Sequence, residues 1–251
     1  MKSISDILLQ RKSIRKYSSR PLDDNLLHDI LEKGCRASTT GNMQVYSIII
    51  TRDEDMKKSL LPLHFNQEMV TEAPVLLTFC ADFNRFNKWC RQNDAVPGYD
   101  NFLSFFTAAA DALLVAQTVC VAAESEGLGI CYLGTTTYMA DKIIEVLELP
   151  PGVVPVTAIT LGWPDEDPEQ VDRLPLESVI HSEVYHDYSE QDIKAFYREK
   201  EEREDSRIFI QENNKSTLAQ VFTDVRYKKD DNVYFSNVLI KVLQDQGFMN
   251  H

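Results

Sequence analysis

Five residues near the start of the chain, Arg11-Lys12-Ser13-Ile14-Arg15, have the types and spacing of an anion site. In an extended segment alternate side chains point the same way, so Arg11, Ser13 and Arg15 share one face. Two guanidinium forks and a hydroxyl then address a single target. Guanidinium groups match phosphate oxygens bidentately and stay charged at any relevant pH. The chain carries a net charge of −13, so this basic face is not a by-product of a basic composition. Two readings of the five residues stand side by side: a phosphate site for a bound cofactor, or a solvated basic turn after a first helix.

Other chemistry is harder to find. A dinucleotide fingerprint follows a strand and opens a helix. Gly127-Leu128-Gly129 does the reverse, closing a helix before a strand. There is no Walker A sequence and no G-x-S-x-G elbow. The acidic pairs Asp23/Asp24 and Asp53/Asp55 sit at helix starts, where capping and dipole roles suffice. Cys35, Cys80, Cys90, Cys120 and Cys131 are odd in number and lack a C-x-x-C pair. They read as reduced thiols of a cytoplasmic protein with no metal site. The excess of 39 acidic over 26 basic residues argues against a nucleic-acid surface. No apolar run approaches the roughly 20 residues that span a bilayer, so no membrane role is expected. A phosphate-bearing cofactor would have to be held by side chains such as those of the opening segment.

The elements that must position these residues follow from periodicity. Ser3 caps a short helix with Ile4, Ile7 and Leu8 as its stripe, and Asp23 caps a second that runs to Gly34, with Leu22 and Leu27 as a staple. Small polar residues from Ala37 to Gln44 precede a strand over 45–51. Helical spacing resumes over 53–61, and Pro74 introduces a buried strand over 75–81. A helix is expected over 82–89. The longest one, from about Phe102 to Glu126, is apolar on most faces and must be buried on most sides. Strands over 130–133 and 153–161 enclose a helix over 141–149. From Ser189 onward the composition turns charged and helical, with stretches over 189–207, 216–227 and 233–246.

Taken together, these stretches resemble the FMN-dependent nitroreductase family. Arg11-Lys12-Ser13-Ile14-Arg15-Lys16-Tyr17 after a short helix is similar to its phosphate-binding opening, and Ala37 to Gln44 to its second signature. Phe79 to Arg85, Ala122 to Gly129 and Leu161-Gly162-Trp163-Pro164 resemble its larger branch, the oxygen-insensitive NADPH nitroreductases and related flavin reductases. The resemblance implies an α+β fold with a mostly antiparallel sheet flanked by helices, assembled as an intertwined homodimer. It implies an FMN-binding core over 1–186, and the charged, helical residues 187–251 read as a C-terminal extension packed on the core or on the partner subunit. It further implies bound FMN, with NADPH or NADH as transient reductant and a small-molecule acceptor, a nitroaromatic or quinone. Alternatives on the same fold are a flavin reductase, a metabolite oxidoreductase or a non-catalytic flavin-binding protein.

By that resemblance Arg11, Lys12, Ser13 and Arg15 hold the ribityl phosphate and part of the ring, with Arg173 as a second phosphate arginine. Gln67 and Met69 match positions beside the pyrimidine end. Ser38, Thr39, Thr40 and Asn42 reach the flavin from the other subunit. Cys131, Tyr132, Leu133, Gly134 and Thr135 match the segment lining the ring, where a backbone N–H lies near N5. The chemistry then belongs to flavin N5, and no catalytic side chain is assigned. Two departures stand out. Val171 replaces a lysine two residues before Arg173, and Gly134 is followed by Thr135-Thr136-Thr137 rather than by a second glycine and a basic residue.

Overall fold

A computed structural model describes residues 3–250. In chain order the elements are α1 (Ile4–Leu9), α2 (Asp24–Gly34), β1 (Tyr46–Thr51), α3 (Glu54–Leu60), α4 (Met69–Glu72), β2 (Val75–Asp82), α5 (Asn84–Gln92), α6 (Phe102–Ser125), β3 (Gly129–Leu133), α7 (Ala140–Val146) and β4 (Val153–Gly162). They continue with α8 (Glu190–Glu202), α9 (Glu204–Glu212), α10 (Leu218–Val221) and α11 (Lys229–Asp245). The class is α+β. The four strands form one antiparallel sheet in the order β1-β2-β4-β3.

Every residue of β2 is buried, because this central strand is covered on both faces. Its alternation divides the core. Val75, Leu77 and Phe79 face α2 and α6, packing with Leu27, Ile30, Val115 and Val119. Leu76 faces the other way, into a cluster with Ile14, Tyr17, Met69 and Ile143. On β3 the same period sends Ile130 to the first cluster, and Cys131 and Leu133 to the second. The sheet's pleat therefore places the opening segment and the Cys131–Leu133 stretch on one face.

Local signals behave as their chemistry requires. Ser3 and Asp6 form a reciprocal capping box on α1, and Asp23 and Asp53 cap α2 and α3. Leu22 and Leu27 are both buried. Of the stripe expected on α1 only Ile7 is buried, while Ile4 and Leu8 are exposed. The helix expected from Asp82 starts at Asn84, because Asp82 still pairs with Val153 in the sheet. The charged run after Ser189 is two helices, broken where Arg203 turns to an extended ψ of 145°.

The sequence reading also needs correction on α6. With 24 residues and a mean hydropathy of 1.7 in its most apolar window, it is long and apolar enough to cross a membrane by length and composition. Its Ala and Val residues instead pack on the sheet and α2, and 56% of that window is buried inside the protein. Its outer side is not covered: Phe102, Leu103, Phe106, Leu113 and Leu114 are all exposed.

The chain forms two compact units, one of residues up to Glu169 together with those from Phe235 onward, the other Gln170–Tyr234. In the first unit the end of α11 supplies Val242 and Leu243, which with Phe248 join a third cluster containing Phe83, Phe105 and Val154. In the second, ion pairs join Lys200 to Asp172 and Lys215 to Asp224, each at 2.9 Å.

Candidate functional site

The opening segment is extended and held at both ends. The Ile14 N–H donates to the Ile130 carbonyl at 2.9 Å, and the Ser18 N–H to that of Trp163 at 2.9 Å. Tyr17 forms a single bridge with Pro164. The Tyr17 hydroxyl donates to the Ile14 carbonyl at 2.8 Å and lies 2.7 Å from Thr160 Oγ1. Gly129 makes the close approach possible, since a Cβ there would lie 2.7 Å from Ile14 Cβ. With Ile14 directed into the core beside Cys131, Arg11 and Ser13 are half-buried and Arg15 is exposed. Burial pushes the Cys131 thiol up, against the pull of the Arg15 charge, a hydrogen bond with Ser13 and the Arg11 charge.

Acidic side chains meet this basic segment. Arg11 Nε lies 3.6 Å from Glu124 Oε1 on α6. Burial raises the Glu124 carboxyl to about 7 even though Arg11 opposes the shift. Its second oxygen is buried and has no hydrogen-bond partner among the described residues. Lys12 pairs with Asp167 and also donates to the Pro168 carbonyl at 2.9 Å. Glu166 accepts from the backbone N–H groups of Arg15 and Lys16. A cleft bounded by Ile7, Arg11, Lys12, Glu124, Gly129 and Glu166 results. Of the basic segment, the Arg11 guanidinium and the Lys12 ammonium line it, and both fit a phosphomonoester by charge and donor type. The three carboxylates lower the net positive charge they offer.

Along the same face, Met69 and Leu133 are buried with Cys131 and Ile14. Tyr132 donates to Gln117 Oε1 at 3.4 Å. Gly134 is exposed at the tip of the turn, and Thr135 is buried behind it. Thr135 Oγ1 lies 2.9 Å from His64 Nδ1, and the His64 carbonyl accepts from Gln67 Nε2 at 2.9 Å. Desolvation lowers the His64 imidazole to about 4. Gln67 and Thr135, far apart in sequence, thus meet through one buried histidine.

The remaining expected residues make other contacts. The turn carrying Ser38, Thr39, Thr40 and Asn42 is anchored on α6, where Asp111 accepts from the Thr40 N–H at 2.9 Å and from Thr40 Oγ1 at 3.2 Å. Ser38, Thr40 and Asn42 are exposed, and Asn42 has a φ of 55°. Arg173 is exposed in the second unit, its guanidinium donating to the Asp172 carbonyl at 2.8 Å. Val171 is exposed as well.

Comparison with known proteins matches residues 8–163 to the model of the nitroreductase family. The chain belongs to the nitroreductase family. Membership makes it an oxidoreductase. Among curated relatives it is similar to the oxygen-insensitive NADPH nitroreductase of Salmonella typhimurium, 33% identical over 72% of this chain and 73% of that protein. It is also similar to an FMN reductase [NAD(P)H] of Bacillus subtilis, 31% identical over 99% of this chain and 98% of that one. A solved structure from Bacteroides fragilis superposes with a TM-score of 0.96 at 56% identity, covering 98% of this chain and 100% of that one. A Bacillus subtilis nitroreductase structure gives 0.87 at 26% identity, covering 99% and 100%.

Within this nitroreductase-family chain, periodicity and motif reading passed over Glu124, His64, Asp111 and Glu166. Each is polar and sits in an element of ordinary composition. The only available sequence signal is a charged or titratable residue at a core-facing position, such as Asp111 within the apolar run of α6.

Proposed function

We propose that this chain is an FMN-dependent oxidoreductase that takes hydride from NAD(P)H and reduces nitroaromatic or quinone-like acceptors by a ping-pong mechanism, as a cytoplasmic homodimer. The observation that carries this reading is the seating of the Arg11–Arg15 segment beside β3 by the Ile14–Ile130 hydrogen bond, with Ile14 packed against Cys131 and Leu133. Bound FMN supplies the two-electron chemistry, and the protein supplies position and electrostatics. Arg11, Lys12, Ser13 and Arg15 bind the phosphate by charge-assisted hydrogen bonds. Gln67 and Met69 address the pyrimidine end. Cys131, Tyr132, Leu133, Gly134 and Thr135 line the ring, where backbone donors favour negative charge on it. Ser38, Thr39, Thr40 and Asn42 serve the site of the other subunit. The exposed Phe102, Leu103, Phe106, Leu113 and Leu114 of α6 support a homodimer, since monomers rarely leave such contiguous apolar surface in water.

The test is the visible spectrum of the purified protein before and after anaerobic NADPH or NADH. A flavin band that bleaches with either reductant, and recovers on adding a nitroaromatic or a quinone, is the expected result. A colourless protein that fails to bind added FMN overturns the reading. The full-length match to an FMN reductase favours free flavin as a second acceptor class. Steady-state kcat/KM values for free FMN, a nitroaromatic and a quinone separate the two.

A further inference from the structure

His64 is 1% exposed, and Thr135, 71 residues away, is 8% exposed. Their side chains meet at 2.9 Å, where water cannot replace either partner. Each belongs to a turn that needs holding. After the short helical turn Leu61–His64, Phe65 and Asn66 both take left-handed φ values, 55° and 54°. Two successive non-glycine residues in that region are strained and persist only where surroundings over-determine them. The Phe65 N–H donates to Pro62, the Asn66 N–H to Leu61, and the Gln67 N–H to His64, which also receives Gln67 Nε2. On the other turn, Thr135 presents its carbonyl to the N–H groups of Tyr138 and Met139, leading into α7, and Thr136 Oγ1 donates to Leu133 at 2.9 Å. The Phe65 and Tyr138 rings, 6.3 Å apart, form a second and more exposed contact between the same two turns.

We infer that His64 is a positioning residue for FMN: by clasping Thr135 it fixes the 133–136 turn against the 64–67 turn, and so sets Gln67 and the Gly134–Thr135 backbone at one spacing. This inference rests on the FMN site proposed above and deepens it. Its chemistry belongs to this chain, because the clasp needs the His64 imidazole and the Thr135 hydroxyl together. The imidazole stays neutral at working pH because burial lowers it to about 4, so the clasp does not titrate during turnover. A purely structural histidine would stabilise the fold without affecting how the protein distinguishes oxidised from reduced flavin.

The experiment compares the full-length protein with H64L, T135V, the double variant and H64N. It measures the Kd for oxidised and for anaerobically reduced FMN, together with Tm. Loss of the one buried hydrogen bond should weaken oxidised FMN about tenfold in either single variant. The double variant should be no weaker than the singles, since both remove the same interaction. Asparagine places an amide near the Nδ1 position, so H64N should recover FMN affinity to within about threefold of the unmodified chain. The ratio of reduced to oxidised Kd should change about threefold in H64L and T135V, because the turn that moves carries the backbone donors facing the ring. Should H64L fail to fold, H64M, which likewise lacks a polar atom for the Thr135 hydroxyl, takes its place beside T135V, which exchanges the hydroxyl for a methyl. Unchanged affinity in T135V, additive losses, or a lower Tm with an unchanged Kd ratio overturn the inference and leave the FMN site standing. If the unmodified chain binds no FMN, the site reading fails, and the inference fails with it.

Discussion

Glu124 and His64 are both ionisable groups withdrawn from water, and burial moves them in opposite directions. Glu124 lies beside Arg11 and rises to about 7. His64 lies beside a neutral hydroxyl and falls to about 4. In each case desolvation favours the uncharged form. The basic opening segment keeps its cations by setting carboxylates against them, whereas the two-turn clasp removes charge altogether. A charged site must hold anions, so it tolerates competing acids. A turn that only has to be rigid does better with a neutral bond that salt cannot screen.

The largest expected effect breaks the first region at its foundation. Gly129→Val drives a side chain into Ile14 and should cost about 3 kcal/mol with loss of FMN retention, read by thermal unfolding and flavin content. Wild-type FMN content in a stable G129V protein would show that the opening segment does not need this seat.

The pH dependence sharpens the contrast. A carboxyl raised from 4.5 to about 7 contributes stability that is present below pH ~4.5 and lost as pH rises through about 7. An imidazole lowered from 6.5 to about 4 contributes stability that is present above pH ~6.5 and lost as pH falls through about 4. The two slopes oppose each other over nearly the same interval. Glu124→Gln should therefore gain on the unmodified protein by about 2–3 kcal/mol between pH 4.5 and pH 8, whatever its offset. His64→Leu should gain by a similar amount in the other direction, from pH 7 down to pH 4. Urea unfolding at several pH values reads both, and parallel curves would contradict the burial argument.

Smaller effects follow at the segment's outer side chains. Arg15→Ala removes a charge-assisted phosphate contact and should weaken FMN about tenfold, measured by equilibrium titration. Lys12→Ala loses a pair whose acidic partner, Asp167, is 90% exposed, so its effect on stability should stay within about 1 kcal/mol. A loss for Lys12→Ala as large as that for Arg15→Ala would mean that both cations serve the anion equally.

Much of the frame was legible. Caps at Ser3, Asp23 and Asp53, the apolar strands and the long alanine-rich helix follow from local chemistry, which acts within a few residues. The pairing of the two turns was not legible, because His64 and Thr135 are joined across 71 residues and only Thr135 lies in a stretch the sequence marked. Nor was the return of the last helix. The compact units divide at 169/170 and 234/235, whereas the change in composition at Ser189 carried on through the stretch over 233–246. Val242, Leu243 and Phe248 join the core through contacts that composition does not report.

By itself the sequence determined the basic segment and most of the elements, since residue type, spacing and periodicity are properties of the chain alone, and its resemblance to the nitroreductase family implied the α+β class. Only the tertiary structure decided what that segment faces. The pleat of β3 turned Cys131 and Leu133 to the face that Ile14 and Tyr17 share, and the seat at Gly129 let Ile14 descend beside them. Folding also set Glu124, Glu166 and Asp167 against the cations. These are long-range pairings, and burial, which alone gives Glu124 and His64 their shifted affinities for protons, exists only once the chain has closed around them.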